Sequence, residues 1–173
     1  MIRNILTLPD EKLRQESQEV ASFDQGLNKL IEDLTQTLEV QTDPPGLGLS
    51  APQIGIFRRV FVAKIRNKIK SFVNPNILKF SKREVTFLEG CFSVPDLYGH
   101  VTRPAEIDLE VQNKNGQKTK IHYKNLPARI IQHEIDHLNG ILFIDHVHTQ
   151  NGKIFKVEKT KSGKEQFVEV AYV

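Results

Sequence analysis

The chain has 173 residues, of which 39% are hydrophobic and 26% charged, a composition typical of one globular domain. The formal net charge of +3 does not by itself indicate nucleic-acid binding, and the single cysteine, Cys91, excludes an intramolecular disulfide. Five acidic residues among the first thirty argue against a targeting peptide, and no apolar run approaches the ~20 residues of a membrane span, so a cytoplasmic enzyme or binding protein is expected.

Two helices are predicted near the N-terminus. Asp10 is suited to cap a short helix that would run to about Gln18. Apolar residues then recur at helical spacing and predict an amphipathic helix over residues 25–41; they are Leu27, Leu30, Ile31, Leu34 and Leu38. The sequence Asp43-Pro44-Pro45-Gly46 is expected to end this helix.

The middle of the chain, to about residue 124, is predicted to be mostly β-structure. Residues Arg59 to Ile65 are rich in Val, Phe and Ile. Apolar residues from Ile107 to Val111 alternate with acidic ones, which is the period of a half-buried strand. A turn signal at Asn113–Gly116 and a returning strand over Lys118–Tyr123 complete a predicted hairpin.

A helix is predicted from near Pro127, because proline is tolerated in a first turn, to Asn139-Gly140, because glycine suits the left-handed C-terminal position. A late β-hairpin follows, with strands at Lys153–Lys159 and Gln166–Tyr172 and a turn at Lys161–Lys164. Since no segment has the composition of a linker, residues 1–173 are predicted to form a single catalytic domain, with residues 153–172 as its C-terminal hairpin.

The predicted late helix contains the motif H-E-x-x-H. His133 and His137 lie at positions i and i+4 of a helix, on one face and one turn apart, so their imidazoles can reach the same metal ion. Glu134 is rotated about 100° from His133, so it is expected to act on a water molecule rather than to share the ion. The alternative is two surface histidines on an ordinary helix, but the apolar side chains at Ile131 and Ile135 indicate that the helix is embedded.

A catalytic site of this kind needs a third protein ligand. The residues around the motif do not identify this third ligand. The metzincin pattern requires a histidine at position 143, where this chain has Phe. The other candidates are the downstream residues Asp145, His146, His148 and Glu158 and the upstream thiol of Cys91. Taken alone, a lone cysteine in a β-rich stretch is more often a small buried apolar residue than a ligand.

Three stretches together resemble the peptide deformylase family, in order and at similar spacing. They are Gly46–Gly55 (GLGLSAPQIG), Glu89–Ser93 (EGCFS) and Gln132–Leu138 (QHEIDHL), and the resemblance covers roughly residues 2–146. It implies an α+β fold in which antiparallel sheets pack around the central metal-binding helix, with helices at the N-terminus. It also implies removal of the N-terminal formyl group, as formate, from the formyl-methionine of newly synthesised polypeptides.

The resemblance assigns roles to the site residues. It implies a divalent metal ion held by Cys91, His133 and His137, with iron(II) as the physiological metal and zinc, nickel or cobalt as alternatives. Glu134 would act as general base and then as general acid. The Gln53 amide and the backbone N–H of Phe92 would stabilise the oxyanion.

The substrate is expected to bind as an added strand, held by main-chain hydrogen bonds along the edge that contains Gly48. Leu47 and Gly90 would flank the peptide, and Leu126 and Ile130 would line a pocket for the methionine side chain. The predicted partners are nascent formyl-methionyl polypeptides, and a ribosome contact through the lysines of the late hairpin is a hypothesis. No membrane association and no direct nucleic-acid recognition are predicted.

The sequence departs from the family pattern at several positions. Phe92 stands where leucine is usual, Ser50 where alanine is common, and Asp96 where glycine or glutamate is frequent. The tail is predicted to form strands, whereas the best-known bacterial members end in a helix. Three other functions are alternatives: a zinc endopeptidase of the broader H-E-x-x-H class, a non-catalytic protein with a closed metal site, and an RNA-binding module.

Overall fold

A computed structural model of the chain describes residues 1–159 and 164–171. Within these residues there are three α-helices: α1 (Gln25–Glu39), α2 (Leu126–Leu138) and α3 (Phe143–Thr149). Nine strands are described: β1 (Gly48–Ser50), β2 (Val60–Ile65), β3 (Lys68–Phe80), β4 (Glu84–Cys91), β5 (Val94–Pro104), β6 (Glu106–Gln112), β7 (Lys118–Lys124), β8 (Ile154–Lys159) and β9 (Glu165–Val170). Among the described residues, no helix has the length and apolarity that crossing a bilayer requires.

A five-stranded sheet in the order β1-β2-β3-β6-β7 separates α1 from α2. Strand β2 is buried on both faces because its side chains alternate: Val60 and Val62 pack with α1, whereas Phe61 and Ala63 pack with α2. The apolar side of α2, which includes Ile131, therefore belongs to one of the two main cores.

A four-stranded sheet in the order β4-β5-β8-β9 packs against α3. Both sheets are antiparallel throughout the described strands, so the α+β class with antiparallel sheets is confirmed. The predicted late hairpin is present as β8 and β9, and β8 pairs with β5. Residues 161–163 of its predicted turn and Tyr172 lie outside the described residues.

The ends of α2 agree with the local signals in the sequence. The helix begins at Leu126, beside the predicted start at Pro127, and ends one residue before Asn139. Gly140 has a φ of +70°, the left-handed conformation that favours glycine, and a Cβ there would overlap the backbone carbonyl of Arg14.

The predicted helix from Asp10 to Gln18 is wrong in its length. Asp10 caps a single 3-10 turn, Glu11–Arg14, by accepting a hydrogen bond from the Lys12 N–H. Beyond this turn the backbone pairs with distant segments, because the Ser17 N–H donates to the Leu138 carbonyl and the Gln18 N–H to the Phe57 carbonyl. Long-range pairing therefore replaces the helix that the local signal favours.

Helix α3 was not predicted. It has only seven residues, two of which are histidines, and Phe143 and Val147 are its fully buried side chains. A helix this short is marginal in isolation, so its stability comes from packing against the four-stranded sheet.

A buried carboxylate attaches the N-terminal segment to α1. The Asp33 side chain is 1% exposed. It forms ion pairs with Arg3 Nη2 at 2.7 Å, with Lys29 Nζ at 3.0 Å and with the Met1 amino group at 2.5 Å. Burial raises the pKa of this carboxyl, but the hydrogen bonds from the three cations outweigh burial and hold the pKa well below its ordinary value.

Replacing Asp33 by Asn should lower the free energy of unfolding by about 1–3 kcal/mol at pH 7, because the variant loses hydrogen bonds to charged groups. The pKa of Asp33 is lower in the folded state than in the unfolded chain, so its contribution is complete above about pH 3.9 and is lost as the pH falls towards the folded-state pKa. The difference between wild type and variant should therefore stay constant from pH 7 to about pH 4 and shrink as the pH falls from about 4 towards 2.

Urea unfolding across this pH range measures the difference. Glu32→Gln is the matched control, since Glu32 lies on the same helix but is exposed, and it should change stability by less than about 0.5 kcal/mol. A loss in Asp33→Asn that stays constant from pH 7 to about pH 2 would contradict the assigned role of the charge.

Candidate metal centre and active-site cavity

Ten of the eleven predicted site residues line one cavity of about 440 Å³ between the two sheets. They are Leu47, Gly48, Gln53, Gly90, Cys91, Phe92, Leu126, Ile130, His133 and Glu134. The eleventh, His137, is 2% exposed and contacts the Cys91 sulfur from within the protein. The structure thus brings together residues that are separated by up to about ninety positions in the sequence.

Cys91, at the end of β4, meets the two histidines of α2. Its Sγ lies 3.2 Å from His137 Nε2, and the donor atoms of Cys91, His133 and His137 all lie within 4.8 Å of one another. Across residues 1–159 and 164–171, no other group of three such side chains has this geometry. One sulfur and two imidazole nitrogens form a donor set that suits a borderline divalent ion.

None of the four downstream candidates for the third ligand, Asp145, His146, His148 and Glu158, belongs to this cluster. His146 Nε2 is 2.8 Å from an Asp136 carboxylate oxygen, and Asp145 accepts from the Leu142 N–H and pairs with Arg14. Glu158 is an exposed residue of β8. These contacts leave Cys91 as the third member of the cluster.

The surroundings of the Cys91 sulfur favour a thiolate, which is the form that binds metals. Burial opposes ionisation, but the adjacent imidazoles of His137 and His133 lower the pKa of the thiol well below its ordinary value. The Ser93 backbone N–H also donates to the sulfur, at 3.4 Å.

A buried carboxylate, Glu89, orients one of the histidines. His133 Nδ1 donates to Glu89 Oε2 at 3.0 Å, because a carboxylate oxygen can only accept, so Nδ1 carries a proton and Nε2 is the ring nitrogen left for a metal. Arg103 donates to both oxygens of Glu89, at 2.7 and 3.0 Å, and Arg129 Nη1 donates to Oε1 at 2.5 Å. Burial raises the pKa of Glu89, yet the hydrogen bonds from His133 and Arg103 lower it well below the usual value.

Arg103 extends this set of ion pairs to α2 and α3. Its Nη1 lies 2.6 Å from Asp136 Oδ2, and the same oxygen accepts from His146. The Arg103 side chain is 5% exposed, and a buried charge needs partners within the protein. The carboxylates of Glu89 and Asp136 are these partners.

Glu134 is buried with a defined orientation. The residue is 3% exposed, and its Oε2 accepts a hydrogen bond of 2.6 Å from the Ser50 hydroxyl. The carboxyl also lies against Gly48, where an added Cβ would come within 2.6 Å of the Glu134 Cδ. Burial raises the pKa of this carboxyl, and the neighbouring imidazoles and the Ser50 hydroxyl offset only part of that effect.

Gln53 is fixed by hydrogen bonds at both ends of its amide. The Ser50 backbone N–H donates to its Oε1 at 2.8 Å, and its Nε2 donates to Ser93 Oγ at 3.1 Å and to Cys91 Sγ at 3.5 Å. The amide N–H group is therefore held beside the sulfur, at the cavity wall.

The remaining predicted residues form the mouth and one wall of the cavity. Leu47 and Leu126 are 41% and 48% exposed, whereas Ile130 is 6% exposed. Gly90 pairs with Tyr98, and an added Cβ at Gly90 would lie 2.6 Å from the tyrosine ring. Apolar side chains thus surround an opening that leads to the polar cluster.

Several supporting residues were missed by sequence reasoning. Glu89 and Ser50 lie inside two of the stretches that resemble the family, but the sequence predicts no role for either, and Arg103 lies outside all three stretches. The one available signal was position, since Glu89 directly precedes Gly90-Cys91. A pairing between Arg103 and Asp136 depends on three-dimensional contacts that spacing along the chain does not reveal.

Replacing Arg103 by Met should destabilise the protein by about 3 kcal/mol, because Glu89 and Asp136 would remain buried after losing their shared cation. Urea unfolding gives the loss. Arg14→Met is the control: Arg14 pairs with Asp145 at the surface, both side chains are more than a third exposed, and a loss below about 1 kcal/mol is expected. Equal losses of stability in the two variants would contradict the expectation that leaving buried carboxylates unpaired costs more than breaking an exposed ion pair.

The chain is similar to known proteins of one family. The family model described as polypeptide deformylase matches residues 2–153, so β8 and β9 lie beyond the match. The peptide deformylase of Agrobacterium fabrum is 40% identical over 151 residues, covering 84% of this chain and 87% of that protein. The peptide deformylase of Natranaerobius thermophilus is 38% identical over 160 residues, covering 92% of this chain and 98% of that protein.

Solved structures give the same result. The crystal structure of peptide deformylase from Thermotoga maritima superposes with a TM-score of 0.80 at 35% identity, covering 84% of this chain and 97% of that one. The resemblance inferred from the three sequence stretches is therefore confirmed, and the chain belongs to the polypeptide deformylase family.

Proposed function

We propose that this chain is a metal-dependent hydrolase that removes the formyl group from formyl-methionine at the start of newly synthesised polypeptides and releases formate. The observation that carries the proposal is the meeting of Cys91, His133 and His137 beside the buried carboxylate of Glu134 at one cavity. Family membership supports the same reaction.

The metal ligands proposed are Cys91, His133 and His137, and the proposed physiological ion is iron(II), with zinc, nickel or cobalt as substitutes. The donor set suits all four ions. When bound, the ion supplies a Lewis acid that acidifies water and polarises the formyl oxygen. The Glu89–His133 hydrogen bond supports the assignment because it leaves the imidazole Nε2 free to coordinate.

Glu134 is proposed as the group that moves the proton. It accepts a proton from the attacking water and then donates one to the departing amine. The Ser50 hydroxyl holds Oε2, and Gly48 lies against the carboxyl, so the side chain is oriented before substrate binds. Burial raises the pKa of the Glu134 carboxyl above its ordinary value, which suits a group that must hold a proton and then return it.

Gln53 and Phe92 are proposed as the donors that stabilise the oxyanion. The amide of Gln53 lies beside the Cys91 sulfur and is held by Ser50 and Ser93, so its orientation needs little reorganisation. Phe92 lines the same cavity and would contribute its backbone N–H, which any residue except proline supplies.

The substrate is proposed to bind as an added strand between Gly48 and Gly90, with Leu47 beside it. Such main-chain recognition tolerates many sequences, as an enzyme for nascent chains requires. The methionine side chain would occupy the apolar wall formed by Leu126 and Ile130.

We also propose that residues 1–173 act as one catalytic domain, which the pairing of β8 with β5 supports. A ribosome contact through the lysine-rich hairpin remains a hypothesis, motivated by the origin of the substrate. Unchanged co-sedimentation with ribosomes after deletion of residues 150–173 would oppose it.

Wild-type protein purified without oxygen should release formate from a formyl-Met peptide, and Glu134→Gln should lower kcat by at least about 10²-fold. Glutamine keeps the shape of glutamate but cannot accept the proton. Metal content should stay the same in both proteins, as measured by elemental analysis. Full activity in the variant would rule out Glu134 as the base.

Cys91→Ser should weaken metal binding by at least about 100-fold, because a neutral hydroxyl is a poor metal ligand. This loss should exceed the loss usually seen when a residue that only hydrogen-bonds to a ligand is replaced. Metal retained after dialysis against a chelator measures the loss. His122→Ala is the control, since His122 is an exposed histidine of β7 that pairs with Asp108 and Glu106. Undiminished metal binding in Cys91→Ser would favour an endopeptidase in which the thiol is incidental.

A further inference from the structure

The outer face of the four-stranded sheet carries exposed apolar and aromatic side chains that the proposed mechanism does not use. We propose that this face binds the polypeptide downstream of the formyl-methionine, and that Phe167 of the C-terminal hairpin is the contact that favours longer chains. The inference rests on the proposed function and adds to it a preference for longer chains.

The strand register identifies the side chains that share this face. Residues directly opposite on paired antiparallel strands point to the same side of a sheet, and the partners are Leu88 with His100, Tyr98 with Phe155, and Val157 with Phe167. These six residues are called the aromatic strip below.

The opposite face of the same strands is buried against α3. Val101 and Ile154 belong to the core that contains α3, and a Cβ on Gly99 would meet Val147 at 2.5 Å. The aromatic strip therefore points away from the core.

Two ring contacts organise the strip. Tyr98 and Phe167 meet edge to face with centroids 5.5 Å apart, and His100 and Phe155 do so at 5.9 Å. Phe167 is nevertheless 54% exposed and Leu88 is 39% exposed. Rigid aromatic rings that remain in contact with solvent are suited to bind a partner at low entropic cost.

The strip is continuous with the active-site cavity. Leu88 and Tyr98 line the cavity itself, and the Tyr98 ring covers Gly90, next to Cys91. A peptide that leaves the cavity across β5 passes over Tyr98 and then meets Phe167. This continuity favours the downstream part of the substrate as the occupant of the strip.

The strip also has the chemistry that varied sequences require. Its ring faces and aliphatic side chains offer a shallow apolar surface, so they can contact many side chains without selecting one. Half of the strip lies on β8 and β9, which are beyond residues 2–153 that the family model matches.

The test compares formyl-Met-Ala with a formyl-Met hexapeptide of mixed sequence, using formate release by wild type and Phe167→Ala. Wild type should have a lower KM for the hexapeptide than for the dipeptide. Phe167→Ala should raise the hexapeptide KM by about 5–10-fold, the effect of losing one moderate contact, with kcat and the dipeptide KM within about twofold of wild type. Phe167→Tyr should restore the hexapeptide KM because it keeps the ring.

Phe80→Ala is the matched control, since Phe80 is a similarly exposed phenylalanine on β3 of the other sheet, 52% exposed and outside the cavity lining. It should leave both KM values unchanged. Equal effects of Phe167→Ala on the two peptides, or none on either, would overturn the inference while the proposed function stands. A wild type that releases formate from neither peptide would overturn both.

A second copy of the chain is the other possible occupant of the aromatic strip, and sedimentation of wild type and Phe167→Ala tests for it by measuring the oligomeric state. A wild-type dimer that dissociates on this substitution would assign the aromatic strip to a second copy of the chain and overturn the inference. A monomer in both cases, together with the length-dependent change in KM, supports it.

Discussion

The buried carboxylate of Glu89 is the contact on which the geometry of the site depends. Glu89 and Cys91 are two residues apart on β4, whereas Arg129, His133 and His137 follow one another at intervals of four along α2. Hydrogen bonds from Arg129 and His133 to Glu89 therefore tie the strand to this helix face. With β4 held in this way, the Cys91 sulfur is brought to the imidazole of His137.

Such a polar helix face is stable only because every charge on it is compensated. Arg103 shares its guanidinium between Glu89 and Asp136, and His146 reaches Asp136 from α3. The opposite face of α2, with Ile131 and Leu138, packs in an apolar core. Hydrophobic burial stabilises the helix, whereas the ion pairs determine the position of its polar face, because a displaced charge would lose its partner without regaining water.

The two sheets contribute different functions to one cavity. The five-stranded sheet brings Gly48 and Ser50 against Glu134 and so orients the group that we propose moves protons. The four-stranded sheet supplies the sulfur and, on its outer face, the aromatic strip. The catalytic chemistry and the proposed recognition of longer chains thus both use β4 and β5. Substitutions in the hairpin can alter the recognition of longer chains without changing the donor atoms of the metal cluster.

Local patterns in the sequence determined most of the secondary structure and part of the site. The i, i+4 spacing of His133 and His137, the alternation from Ile107 to Val111 and the glycine at Gly140 each express a repeat or a backbone preference of adjacent residues, and such signals do not need the rest of the protein. For the same reason, the helix predicted to reach Gln18 was wrong and α3 was missed, since distant partners decide both.

Only the tertiary structure decided which candidate side chain lies beside His133 and His137. From the motif and its flanks, Cys91 competed with Asp145 and His146, and the family resemblance alone favoured the thiol. The fold separates these candidates by giving Asp145 and His146 other partners and by pairing β4 with β5 beneath α2. Charge compensation and strand pairing act between residues far apart in the chain, so one sequence can list the possible ligands, and packing selects among them.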